Sequence, residues 1–166
     1  MIAPQLTRKR FLSLTSLGII ASGIPLHSFA KQQQQKPPAL HADLVMEFVT
    51  KAHSDLPRVT ALLQQDPGLL NASWDWGGGD FETAMEAAGH MGRKDIATFL
   101  LSNGARINIF CAAMLGKLDI VKFTLTAFPD LKSSKGPHGL QLLHHAIKGG
   151  DEAKEVLQYL QSIGAS

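Results

Sequence analysis

The stretch Thr83 to Asn108, TAMEAAGHMGRKDIATFLLSNGARIN, decides how this chain is read. Gly92 breaks the stretch in two, Ile96 follows four residues later, and Phe99, Leu100 and Leu101 come next at helical spacing. Gly104-Ala105 closes the unit before Ile107 and Asn108. The order is helix, turn, helix, loop. It predicts a first helix over Thr83 to His90 and a second over Lys94 to Ser102.

Working outward, the same two-helix cadence recurs. Leu40, Leu44, Val45, Phe48 and Val49 fall at helical spacing, and Leu56, Val59, Leu62 and Leu63 follow a Ser54-Asp55 cap signal with Pro57 in the first turn. Asp66-Pro67-Gly68 stops that helix. Towards the C-terminus, Ile109 to Leu115 pairs with Leu118 to Ala127, and Leu140 to Lys148 pairs with Asp151 to Ser162. The mean spacing of these pairs, roughly 32 residues, is close to the ~33-residue period of a helical-repeat array. With no β-alternating run of useful length, the expected architecture is all-α, each pair burying a face against its neighbours.

The family pattern T-P-L-H-x-A-A-x-x-G-H-L-E-I-V-K-L-L-L-x-x-G-A-D-V-N is matched in pieces. Thr83, Ala88, Gly92, Asp95, Ile96, Leu100, Leu101, Gly104, Ala105, Ile107 and Asn108 fit it in one repeat. Ala112, Ala113, Gly116, Leu118, Asp119, Ile120, Val121, Lys122 and Leu125 fit the next, and Leu143, His144, Ala146, Val156, Leu160, Gly164 and Ala165 the last. On these positions the chain resembles the ankyrin-repeat family. The resemblance implies a solenoid of about four helix-turn-helix repeats, over residues 40–73, 74–108, 109–135 and 136–166. The third repeat is shortened, because Ile96 to Ile120 spans only 24 residues. By contrast Ile120 to Val156 spans 36, with Phe128 to Gly139 as a long loop and an enlarged turn at Gly149-Gly150.

Residues 1–30 differ from the rest. Arg8, Lys9 and Arg10 precede an apolar run from Phe11 to Leu26, and Ser28-Phe29-Ala30 ends it, which is a signal-peptide layout with cleavage expected after Ala30. Thr7-Arg8-Lys9-Arg10-Phe11-Leu12-Ser13 resembles the twin-arginine export signal, with Lys9 where the second arginine belongs. A general secretory route is the alternative. The apolar run of about sixteen residues is shorter than the ~20 a spanning helix needs, so contact with a membrane is expected only during export. The expected location is periplasmic. Residues 31–39, KQQQQKPPA, read as a flexible linker, and residues 40–166 as the repeat domain.

The 166-residue chain is 45% hydrophobic and 18% charged, ordinary for a folded domain. Its formal charge of +2 comes from the first thirty residues; without them 13 basic residues face 14 acidic ones, so no nucleic-acid partner is indicated. Cys111, the single cysteine, excludes an intramolecular disulfide and is expected to be small and buried.

Candidate contact residues follow from the loops that precede first helices, which project to one side of an ankyrin stack. They are Trp74, Trp76 and Phe81 on the glycine-rich loop, Phe110 in the clipped loop, and His138 in Gly136 to Gly139. Tryptophans on such a loop are large amphipathic anchors of the kind that dominate interfaces, and packing over the first repeat's core is the competing reading. Gly77-Gly78-Gly79 lacks the spacing of a phosphate-binding loop. Glu86 and His90 sit at i,i+4 on the inner helix face, where a carboxylate and an imidazole could meet. Of the histidines His138, His144 and His145, the resemblance gives His144 a structural role tying loops together, while His145 is expected to be exposed. Catalytic residues, cofactor-binding residues and metal ligands are each expected to be none. The expectation is a monomeric, non-enzymatic module that binds a protein partner through its loops and concave helical face. An accessory or stress-protective factor for another exported protein is the alternative, and a small metal-binding or hydrolytic protein using Glu86, His90 or the His138, His144 and His145 group is the remote one.

Overall fold

The computed structural model describes residues 36–165, so the expected signal peptide and the start of the linker lie outside the described residues. Among the described residues the structure is mostly helical, with eight α-helices in four consecutive pairs. These are α1 (Ala42–Lys51) with α2 (Leu56–Gln65), α3 (Ala84–Met91) with α4 (Lys94–Ser102), α5 (Ile109–Met114) with α6 (Leu118–Ala127), and α7 (Leu142–Lys148) with α8 (Lys154–Ser162). No helix among them is long and apolar enough to cross a membrane.

Local chemistry sets the helix starts. The Asp55 carboxylate accepts the Arg58 N–H at 3.0 Å at the start of α2, with Pro57 placed where no N–H is needed. Thr83 and Glu86 form a reciprocal capping box on α3, and Asn108 caps α5 by accepting the Cys111 N–H at 2.9 Å. Each cap satisfies backbone donors the first helical turn leaves free, a stabilisation of about 1 kcal/mol. The turns after α3 and α5 use Gly92 and Gly116 in left-handed geometry, φ 73° and 68°. A Cβ there would come within 2.6 Å of the Lys148 carbonyl oxygen and 2.1 Å of that of Glu152, so glycine lets the last repeat approach.

Packing follows from the apolar stripes. The first helices of the pairs stack in series, α1 on α3, α3 on α5 and α5 on α7, while α2 pairs with α4 and α6 with α8 behind them. Phe48, Val49, Leu62, Met85, Ile96 and Leu100 fill one apolar cluster, and Val121, Leu125, Leu142, Val156 and Leu160 a second. Full burial of one such side chain is worth about 1.5–3 kcal/mol, which is what holds a chain without disulfides. Helix α5 has only six residues, and α7 also touches α3 directly. The last helix pair therefore meets the second as well as the third.

Three expectations need correction. The glycine-rich loop carries strand structure: β1 (Ser73–Asp75) and β2 (Phe81–Thr83) pair antiparallel, with Trp74 opposite Glu82. Helix α7 begins at Leu142 and not Leu140, since Lys135 and Gln141 form a β-bridge that holds the preceding backbone extended. Asp151 lies in a short 3-10 turn, Gly150–Ala153, that precedes α8.

Candidate functional site

The β1–β2 hairpin positions the site. Gly77, Gly78 and Gly79 all have positive φ, the Asp75 carboxylate accepts the Gly77 N–H at 2.8 Å, and the Trp76 N–H reaches the Asp80 carbonyl at 2.9 Å. Glycine makes this tight connection affordable where other residues would be strained. Strand alternation then turns Phe81 outwards, 58% exposed, and Glu82 inwards, fully buried. Trp74 is half-buried against the first apolar cluster, and Trp76 stands 41% exposed, so the two tryptophans divide between packing and surface.

Around the Glu82 carboxylate three imidazoles converge from separate parts of the chain. His90 on α3 places Nε2 2.8 Å from Oε1; His138, from the long loop before α7, places Nε2 3.4 Å from Oε1; His53, just past α1, places Nε2 3.5 Å from Oε2. Oε2 accepts the Trp76 indole N–H at 2.8 Å, and His53 and His90 approach each other at 3.2 Å between their Nε2 atoms. The rings pack edge to face, His53 to His90 at 4.9 Å and His90 to His138 at 5.2 Å between centroids. One ligand atom from each of His53, Glu82, His90 and His138 lies within 4.8 Å of the others.

Outer groups hold these rings. His53 Nδ1 lies 3.1 Å from the carbonyls of both Val49 and Thr50, at the end of α1 where helix carbonyls lack partners. Asp80 grips the long loop twice, accepting the His138 backbone N–H at 2.9 Å and its Nδ1–H at 2.8 Å. The backbone bond first, and the side-chain bond and charge of His138 after it, hold the Asp80 carboxyl below its ordinary range. For Glu82 burial is the largest influence and favours the neutral acid. The contacts from His90 and Trp76 and the charges of His53 and His90 together outweigh it and keep the carboxyl low.

The other expected contact residues are placed as follows. Glu86 and His90 do not pair: Glu86 spends its oxygens on Thr83 and on the Asn108 side-chain amide at 2.8 Å, and His90 turns to Glu82. Phe110 is buried, because the clipped loop starts α5 early and tucks its ring 5.1 Å from that of His145. His145, expected at the surface, is buried with 1% exposure; its ring lies on the inner side of α7, with Nδ1 2.9 Å from the Gln141 carbonyl. His144 on α7 reaches α3, its Nε2 lying 3.0 Å from the His90 carbonyl. His138 leaves the His144 and His145 pair and joins His53, Glu82 and His90. Cys111 is buried as expected; burial, and then the charge of Glu86, push its thiol up to about 12, so it is no nucleophile.

Glu82 and His53 are the members that sequence reading leaves out. Glu82 reads as a charge in a loop until the hairpin gives it an inward face, and His53 sits in a polar Lys51-Ala52-His53-Ser54-Asp55 segment that resembles a solvated helix end. Neither a protein-family model nor a curated protein matches this chain.

Proposed function

We propose that the chain is an exported ankyrin-type repeat protein, without chemistry of its own, that binds a protein partner on the face formed by the hairpin and the loop before α7. The observation that carries this reading is a shallow groove of about 280 Å³ between those two segments, lined by Phe81, Glu86, Phe110, Lys135 and Pro137 among others. Phe81 stands beside it 58% exposed on a hairpin that glycine turns and side-chain bonds make stiff. An exposed aromatic on a rigid element loses little entropy on binding, which is how interface anchors gain affinity. Four helix pairs stacked in series support the solenoid reading, as do the family landmarks of Thr83 to Asn108.

The test is quantitative crosslinking from the cell-envelope fraction with the wild-type chain and a Phe81→Ser, Lys135→Glu variant, both checked for equal unfolding midpoints. The expected result is one partner whose recovery drops at least tenfold with the variant. Equal recovery by both proteins removes this face from the binding reading. Fractionation tests export: product retained in the cytoplasm with residues 1–30 attached contradicts the signal reading.

A further inference from the structure

The imidazoles around Glu82 can be explained as a plain hydrogen-bond network only in part. With Nδ1 of His53 bonded to the Val49 and Thr50 carbonyls and Nδ1 of His138 bonded to Asp80, both rings carry that proton outside the cluster. Neutral, His138 then brings an Nε2 lone pair to 3.4 Å from Glu82 Oε1, while Nε2 of His53, 3.5 Å from Oε2, accepts the Nε2–H of His90 at 3.2 Å. Lone pair faces lone pair, which is unfavourable unless a proton or a cation lies between. Glu82 Oε1 is itself fully buried, and despite its 2.8 Å approach to His90 Nε2 it has no hydrogen bond of adequate alignment. A buried carboxylate oxygen without a partner, faced by the Nε2 atoms of His90 and His138 with that of His53 beside them, points to an absent positive centre.

We propose that His53, Glu82, His90 and His138 form a four-coordinate site for a divalent transition metal of the zinc type, three imidazole Nε2 atoms and one carboxylate oxygen supplying the ligands. The geometry suits it. Bonds of about 2.0–2.1 Å in a tetrahedron set ligand atoms roughly 3.3–3.4 Å apart. His53 to His90 is 3.2 Å and His138 to Glu82 Oε1 3.4 Å, with all four ligand atoms within 4.8 Å of one another. The 2.8 Å separation of His90 and Glu82 is the short one and must open by roughly half an ångström for metal–ligand bonds of that length.

The surroundings match what such a centre needs. A metal-bound imidazole usually donates its other N–H to a carbonyl or carboxylate, and His53 and His138 do so, to Val49 and Thr50 and to Asp80. Trp76 ties down Oε2 and leaves Oε1 free to bind. Three nitrogens and one oxygen favour a borderline ion over calcium or magnesium, which take oxygen donors, and a near-tetrahedral set favours zinc over copper or nickel. Four protein ligands leave no open position for substrate water, so the site is structural or sensory and not hydrolytic. The ion would join the end of α1, the hairpin, α3 and the loop before α7. His138, with a side chain 33% exposed, is the ligand through which an ion enters and leaves.

The experiment uses the full untagged chain, stripped with a chelator, dialysed, and titrated with Zn²⁺ against a chromophoric competitor and with Co²⁺ by visible absorption. Expected are uptake of an equimolar ion, the intense Co²⁺ absorption of a tetrahedral field, and a thermal midpoint that rises with Zn²⁺. His138→Ala, on an exposed loop and so the variant least at risk of misfolding, should weaken Zn²⁺ binding at least ~100-fold, more than the ~10–100-fold expected for the supporting Asp80→Asn. His41→Ala, on an exposed side chain before α1, should bind as the wild type does. Zn²⁺ affinity unchanged in His138→Ala, or a wild-type chain with no tetrahedral Co²⁺ band, overturns the proposal. Partner capture through Phe81 is read separately, so either result stands without the other.

Discussion

Two groups of histidines flank α3, and they differ in everything but residue type. On one side His53, His90 and His138 gather round a buried carboxylate, with the outer nitrogens of His53 and His138 fixed by backbone carbonyls and Asp80. On the other, His144 and His145 pack edge to face at 5.5 Å, His144 bridging to the His90 carbonyl and His145 lying against Phe110. Burial comes first among the causes that push His145 down to about 4, with the charges of His144 and His90 adding to it against the Gln141 bond. Adjacent histidines in sequence thus make a packing element, whereas distant ones delivered to one acid make a polar centre. What separates the groups is the hairpin that turns Glu82 inwards.

The largest expected effect comes from removing that acid. Glu82→Leu in the metal-free chain leaves the Trp76 indole N–H without its acceptor and the three imidazoles without their carboxylate, and should cost about 2–3 kcal/mol at neutral pH in urea unfolding. His145→Leu replaces an imidazole that is already neutral and buried, and should stay within about 1 kcal/mol of wild type. If His145→Leu proves the costlier change, the contrast between the groups is wrong.

Acid separates them next. The unfolded His145 imidazole takes up its proton near pH 6.5, and the folded one not until about 4. Between these values the unfolded state holds more protons, so stability falls as pH drops through the window. Allowing for partial solvent screening, the loss is about 2 kcal/mol, and His145→Leu should flatten the profile there. Glu82 acts lower: its carboxyl sits below the ordinary 4.5, so its contribution is intact above that value and is lost as pH falls through the depressed one. A His145→Leu profile that still slopes between pH 6.5 and 4 assigns the effect elsewhere.

The sequence already shows most of the helical frame. Lys94–Ser102 and Leu118–Ala127 are read residue for residue, because the glycine turn before each, at Gly92 and Gly116, and the apolar stripe along it act locally. The centre round Glu82 is hidden for the opposite reason. His53, Glu82, His90 and His138 share no helical or strand spacing, and the register pairing Trp74 with Glu82, together with the direct contact of α7 with α3, brings them within reach. The one local clue is the long Phe128 to Gly139 segment, which ends in His138 and Gly139 and is itself marked as irregular.

The smallest changes in stability give the sharpest separation. His144→Leu takes the donor from the His90 carbonyl and should cost about 1 kcal/mol, yet it touches no proposed ligand atom, so Zn²⁺ affinity should hold. His138→Gly should do the reverse. His138 has φ 58°, a left-handed conformation that costs a side-chain-bearing residue roughly 1 kcal/mol or more, and glycine relieves it. Against that gain stands the loss of a partly exposed His138–Asp80 pair, worth at most about 1 kcal/mol. The backbone N–H to Asp80 survives. Metal-free stability should therefore stay within about 0.5 kcal/mol of wild type, while Zn²⁺ binding falls at least ~100-fold. A strained residue whose removal costs the fold almost nothing but costs the site its ion is held there for binding and not for packing. If His138→Gly instead destabilises the metal-free chain by as much as Glu82→Leu, the loop is a structural clamp and the two histidine groups differ less than their geometry says.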